Sequence, residues 1–99
     1  MDNLNKILKE TMADYAREGV NGYTYLTSDD TDTFFSVIAV ADIKGKKHVF
    51  MSLVAHIAGD VIVIEHDTNN KPLVDALLQN GIPRTKIVLS YLGESIVTT

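Results

Sequence analysis

Residues 23–65 form a succession of apolar, β-branched and aromatic runs broken only by short turns, and this pattern constrains the fold more than any other feature of the chain. The runs cover residues 23–27, 33–41, 48–57 and 61–65. Between them stand Ser28-Asp29-Asp30-Thr31-Asp32, Lys44-Gly45-Lys46 and Gly59-Asp60, all built from turn-forming residues. Connections this short leave no room for a crossover, so successive strands must lie antiparallel. An antiparallel meander of about four strands follows.

Helical patterns flank the meander. Leu4, Ile7, Leu8, Met12 and Tyr15 recur at helical spacing and make one apolar stripe, with Asp2 or Asn3 as a cap and Gly19 as the expected stop. Later, Leu73, Val74, Leu77 and Leu78 make a second stripe. Thr68, Asn69 or Asn70 is placed to cap it and Pro72 fits its first turn. Gly81 is a left-handed stop, Ile82 is positioned to pack back, and Pro83 prevents continuation. A connector over 83–86 leads to a final strand over 87–91, and the tail 95–99 is expected to fray. The expectation is one α+β domain over 1–99: N-terminal helix, meander, second helix, final strand.

A period of two separates the strand faces. In the run 48–57 it places Val49, Met51, Leu53, Ala55 and Ile57 on one apolar face, and His48, Phe50, Ser52, Val54 and His56 on a mixed one. The run 33–41 is apolar on both sides, with Phe35, Val37 and Ala39 opposed to Phe34, Ile38 and Val40. Such a strand needs cover twice. The helices supply one layer; a partner or a second copy of the chain is expected to supply the other.

The chain has 99 residues, 45% hydrophobic and 22% charged, which is ordinary globular usage. It has no cysteine, which removes disulfides and thiolate chemistry and suits a reducing cytoplasm. No apolar stretch approaches the ~20 residues of a spanning helix, so no membrane association is expected. Net charge is −4, and the basic cluster Lys44, Lys46 and Lys47 has Asp42 beside it. Direct DNA binding through those lysines is therefore an alternative rather than the leading reading.

Signatures of chemistry are sparse. Phosphate-binding glycine loops and a Gly-x-Ser-x-Gly elbow are absent. His48 and His56 stand ~26 Å apart along one strand, too far to share a metal ion. His56 and His66 flank a hairpin, and with Asp67 they suggest a small metal-dependent enzyme as a second alternative. The plainer reading makes each imidazole a satisfied polar group at a sheet margin. Glu65 and Asp67 share a face if the strand continues through them, as an acid–base pair would require; the structural reading has Asp67 accept backbone N–H groups of the following turn or helix start. Asp30-Thr31-Asp32 opens like a calcium loop, but Phe35 and Ala41 occupy the positions of the required glycine and glutamate. No catalytic residue, cofactor or metal is expected.

The order Val61-Ile62-Val63-Ile64-Glu65-His66-Asp67, Leu73 to Leu77, Asn80-Gly81-Ile82-Pro83 and Lys86-Ile87-Val88-Leu89 resembles the XisI family, controlling factors named for excision of the fdxN DNA element in cyanobacteria. Asp14-Tyr15-Ala16 at the first helix end and His56 also fit. The chain departs from the family pattern at Asn69-Asn70, where Thr-Glu is usual, at Val40-Ala41, where Gly-Trp is usual, and after Tyr91. The resemblance implies a non-catalytic accessory factor that acts by binding an XisH-like companion, itself nuclease-like. A homo-oligomer, with a dimer favoured, is also expected. The residues expected to meet a partner are Tyr23, Tyr25, Phe50, Val54, His56, His66 and Asp67.

Overall fold

The computed structural model describes residues 3–96. Helix α1 (Leu4–Ala13) is followed by strands β1 (Glu18–Gly19), β2 (Gly22–Ser28), β3 (Phe34–Ile43), β4 (Lys46–Ala58) and β5 (Val61–Asp67), then helix α2 (Leu73–Gln79) and strand β6 (Ile87–Leu89). The strands form one six-stranded sheet in chain order. All pairs are antiparallel except β5 and β6, which run parallel because α2 carries the chain back between them. The α+β class and the element order expected from the sequence hold.

One face of the sheet is covered by the two helices. Leu4, Leu8 and Met12 of α1 and Leu73 and Leu77 of α2 meet Phe35, Val37, Leu53, Ala55, Ile62 and Ile64 in a single buried cluster. Ile82 joins it because α2 stops as its sequence requires. Gly81 takes φ +93, Ile82 N–H donates to the Leu77 carbonyl at 3.0 Å, and the chain folds its next apolar side chain inward.

Several local expectations need correction. Helix α1 ends at Ala13, not near Gly19. The N–H groups of Asp14, Tyr15 and Ala16 bond three residues back, tightening the exit, and Gly19 belongs to the unforeseen strand β1. Tyr15 lies beyond the helix but still packs against the core, and it donates its hydroxyl to the Lys71 carbonyl at 2.9 Å. Asn3 flanks α1 but makes no side-chain capping bond; the alternative cap, Asp2, lies outside the described residues, as does most of the tail. Pro72 precedes α2 rather than opening it. Thr68 and Asn69 do not cap α2; both donate to the Ser52 carbonyl. The capping bond comes from Asp67, whose Oδ2 accepts Leu73 N–H at 2.6 Å. Strand β6 stops at Leu89, and Ser90–Leu92 turn as a 3-10 helix.

Two β-bulges disturb the period of two. In β4, Leu53 pairs with Val37 but Met51 pairs with Ile38, so Ser52 is an extra residue. In β5, Ile64 pairs with Ala55 but His66 pairs with Val54, so Glu65 is extra. Each bulge shifts which side chains share a face.

Candidate functional site

Strand β4 is longer than the helices can cover. The hairpin of β3 and β4 therefore projects as an arm, and the molecule measures 51 × 26 × 25 Å. Its radius of gyration, 14.1 Å, exceeds the roughly 13 Å of a compact chain this long. At the arm's tip Lys44 and Gly45 both take positive φ, the geometry of a two-residue turn whose twist matches its strands. Near the tip, where β2 begins beside β3, Gly22 lets the strands approach closely, because a Cβ there would run into the Val40 carbonyl oxygen.

The bulge at Ser52 decides where the arm's side chains point. Pairing carries Val49 and Met51 to the face of Val40 and Ile38, the side away from the helices. It carries Phe50 to the helix side with Ala39, beyond the reach of either helix. The expected grouping of Phe50 with Val54 and His56, and of Val49 and Met51 with Leu53 and Ala55, is therefore overturned. Strand β2 adds Tyr23 opposite Val40 and Tyr25 opposite Ile38. Two cross-strand rows result on the open face: Tyr25–Ile38–Met51 and Tyr23–Val40–Val49. The two tyrosine rings lie 6.1 Å apart.

Exposure separates this region from the core. Val49 is 62% exposed, Met51 54%, Phe50 49%, Tyr23 48% and Tyr25 43%, whereas Leu53 and Ala55 are at 0%. Val49, Met51, Tyr23 and Tyr25 thus form an exposed apolar patch on the open face, with Phe50 on its reverse. Val54 also points to the open face but is buried.

The far end of the same face is polar and partly covered. His56 Nε2 lies 2.8 Å from Glu65 Oε2, and its ring stacks on Phe34 at 5.4 Å. The bonds from His56 and Ser90 hold the Glu65 carboxyl below the ordinary range, against the opposing effect of burial. Glu94, Ser95 and Ile96 run beside them, lining a depression of about 250 Å³ with Val63 and Val88. His66, opposite Val54, is exposed.

Glu65 and Asp67, grouped above as a possible acid–base pair, serve different neighbours. Glu65 holds His56, whereas Asp67 bonds Asn69 through Oδ1 and Leu73 N–H through Oδ2. Asp67 therefore carries the structural role read from its position. Among the described residues, no three His, Cys, Asp or Glu side chains converge to hold a metal ion, so His56, His66 and Asp67 do not make a donor set. No described helix is long and apolar enough to cross a membrane.

The two turns at the ends of β3 carry opposite charge. Lys44, Lys46 and Lys47 crowd the arm tip, with Asp42 opposite Lys47. At the other end stand Asp29, Asp30 and Asp32, with Lys9 3.0 Å from Asp32. Asp29 Oδ1 accepts the N–H groups of Thr33 and Phe34, and Oδ2 the hydroxyls of Thr31 and Thr33. Led by the Thr33 N–H, these bonds draw its pKa down to about 2.

Of the residues expected to meet a partner, Tyr23 and Tyr25 lie together on the open face, Phe50 lies on its reverse, and Val54, His56 and His66 lie further along. Ile38, Val40, Val49 and Met51 were missed as open-face residues. The available signal was Ser52, a polar residue in the middle of an apolar strand.

A family model described as XisI protein matches residues 1–97. No curated protein matches the chain. Among solved structures, a XisI-like protein from Anabaena variabilis ATCC 29413 is 17% identical and superposes with a TM-score of 0.66, the match covering 87% of this chain and 78% of that one. The fdxN element excision controlling factor XisI from the same organism is 24% identical, with a TM-score of 0.56, over 87% of this chain and 79% of that one. At these identities the likeness is one of fold.

Proposed function

Because this chain belongs to the XisI family, we propose that it is a non-catalytic accessory factor in the control of DNA-element excision, working by binding an XisH-like companion in the cytoplasm. The observation that supports this reading is the projecting arm, which holds Ile43, Val49, Phe50 and Met51 in solvent. Exposed apolar side chains on a hydrogen-bonded sheet extension of β2, β3 and β4 suit recognition of a protein surface. The family name and the excision role of the solved neighbour supply the biological setting.

The helix side of the arm, with Ile43 and Phe50, is the surface assigned to the companion. Titration calorimetry of the chain against an XisH-like protein tests this. Saturable binding is expected, weakened about tenfold or more by Phe50→Asp, with thermal stability unchanged. No heat of binding with a folded companion contradicts the proposal.

A further inference from the structure

We infer that the open face of the sheet is covered by a second copy of this chain, related by a two-fold axis that lies between the two sheets and crosses at right angles over the middle of β3, so that each arm tip lies over the acidic turn of the other copy. This rests on the reading of the chain as a protein-binding factor and deepens it by dividing the arm into a self-association side and a companion side.

The apolar part of the argument is geometric. Tyr25–Ile38–Met51 and Tyr23–Val40–Val49 cross three adjacent strands on one face. Both rows are near the centre of β3, which runs from Phe34 to Ile43. An axis over that centre brings each copy's rows onto the other's. Sheets packed face to face stand ~10 Å apart with strands within about 30° of alignment, and an axis across the strands makes the two β3 strands run nearly antiparallel.

Charge then selects the occupant. The ten residues of β3 separate its two turns by ~33 Å. One end carries Lys44, Lys46 and Lys47 against Asp42; the other carries Asp29, Asp30 and Asp32 against Lys9. Each end keeps an excess of its own sign. A two-fold axis between them places basic over acidic twice in the same interface. Such an interface is self-complementary, as a closed dimer requires. Charged ends around an apolar centre also match the anatomy of protein interfaces. A DNA duplex meets only half of this pattern, because the acidic turn would repel it.

The test uses two charge-reversed chains. One carries Lys44→Glu, Lys46→Glu and Lys47→Glu; the other carries Asp30→Lys and Asp32→Lys, leaving Asp29 to hold its turn. Sedimentation velocity is run on the native chain, on each variant alone and on their equimolar mixture, with circular dichroism confirming that both fold. The native chain is expected to be a dimer. Each variant alone opposes like charges at both contacts and is expected to self-associate about a hundredfold more weakly or worse. The mixture restores both contacts and is expected to form a heterodimer. A monomeric native chain, a variant that remains fully dimeric, or folded variants that do not pair when mixed each overturn the proposal. As a second check, Met51→Glu is expected to abolish the dimer while Phe50→Asp leaves it intact; the reverse overturns the assignment of faces. Loss of companion binding with an intact dimer counts against the accessory-factor reading alone, and a monomer that still binds the companion counts against this dimer alone.

Discussion

Two neighbouring stretches of β4 are almost equally apolar and meet opposite fates. Val49, Phe50 and Met51 stand in solvent, while Leu53 and Ala55 are buried beneath the helices. The difference is cover, and it follows from length. A strand of thirteen residues extends ~43 Å, whereas helices of ten and seven residues extend only ~15 and ~10 Å. The helices seal one end of the sheet and leave the arm bare. Apolar content alone therefore does not mark the core here; what lies above each residue does.

The sharpest break of this comparison pairs two substitutions on β4. Leu53→Ala removes a fully buried side chain and is expected to cost roughly 2–5 kcal/mol in urea unfolding. Met51→Ala, measured in the lysine-to-glutamate background where the dimer is absent, is expected to change stability by less than about 0.5 kcal/mol. Equal costs would mean that the arm is already covered within one chain.

A smaller effect tests how the covered end is pinned. Asp67→Ala leaves Leu73 N–H and the Asn69 donors without their acceptor. It is expected to cost about 1–2 kcal/mol in the same assay. No change would mean that α2 does not depend on this cap.

The pH dependence is gentler. Asp29, Glu65 and Glu94 have carboxyls lowered in the fold by the bonds they accept: at Asp29 chiefly from Thr33 N–H, at Glu65 from His56 and at Glu94 from Leu89 N–H. Groups lowered on folding contribute stability above their ordinary values of 3.8 and 4.5, and lose it as pH falls through the folded values, for Asp29 about 2. Melting temperature is therefore expected to fall as pH drops below 4.5, and a flat profile contradicts these bonds. At the alkaline end, burial leads the causes that raise the Tyr15 pKa from 10.0 to about 12, with Asp67, Asp75 and Asp14 adding to it. The folded state favours the neutral phenol, so its contribution is intact below pH 10.0 and is lost as pH rises toward 12. Burial also raises the Tyr91 pKa, so ultraviolet titration is expected to show late ionisation that Tyr15→Phe reduces at its most alkaline end.

Much of this architecture is legible in the residues. Short turns specify the antiparallel meander, and Gly81-Ile82-Pro83 specifies the end of α2. The two apolar faces of residues 33–41 are both present in β3, and the helices cover only one of them. The bulges left little trace beyond the polar Ser52 in an apolar strand, because an extra residue leaves composition unchanged while reversing every later side chain. That is why Phe50 separates from Val54 and Val49 joins Tyr23. The end of α1 was obscured because Tyr15 keeps helical spacing while its hydroxyl is drawn to Lys71. Thr68 and Asn69 instead donate to the carbonyl of the bulged Ser52, and Asp67 supplies the oxygen that accepts Leu73 N–H.

Methionine oxidation measures the central claim most directly, since the chain carries a buried reporter in Met12 and an open-face reporter in Met51. Peroxide oxidation of each, followed by peptide mass spectrometry over a range of protein concentrations, reads cover on the two faces at once. The account predicts that Met12 stays protected throughout while Met51 passes from rapid oxidation at high dilution to protection as the chain associates. Rapid oxidation of Met51 at every concentration, with and without the companion, would contradict it.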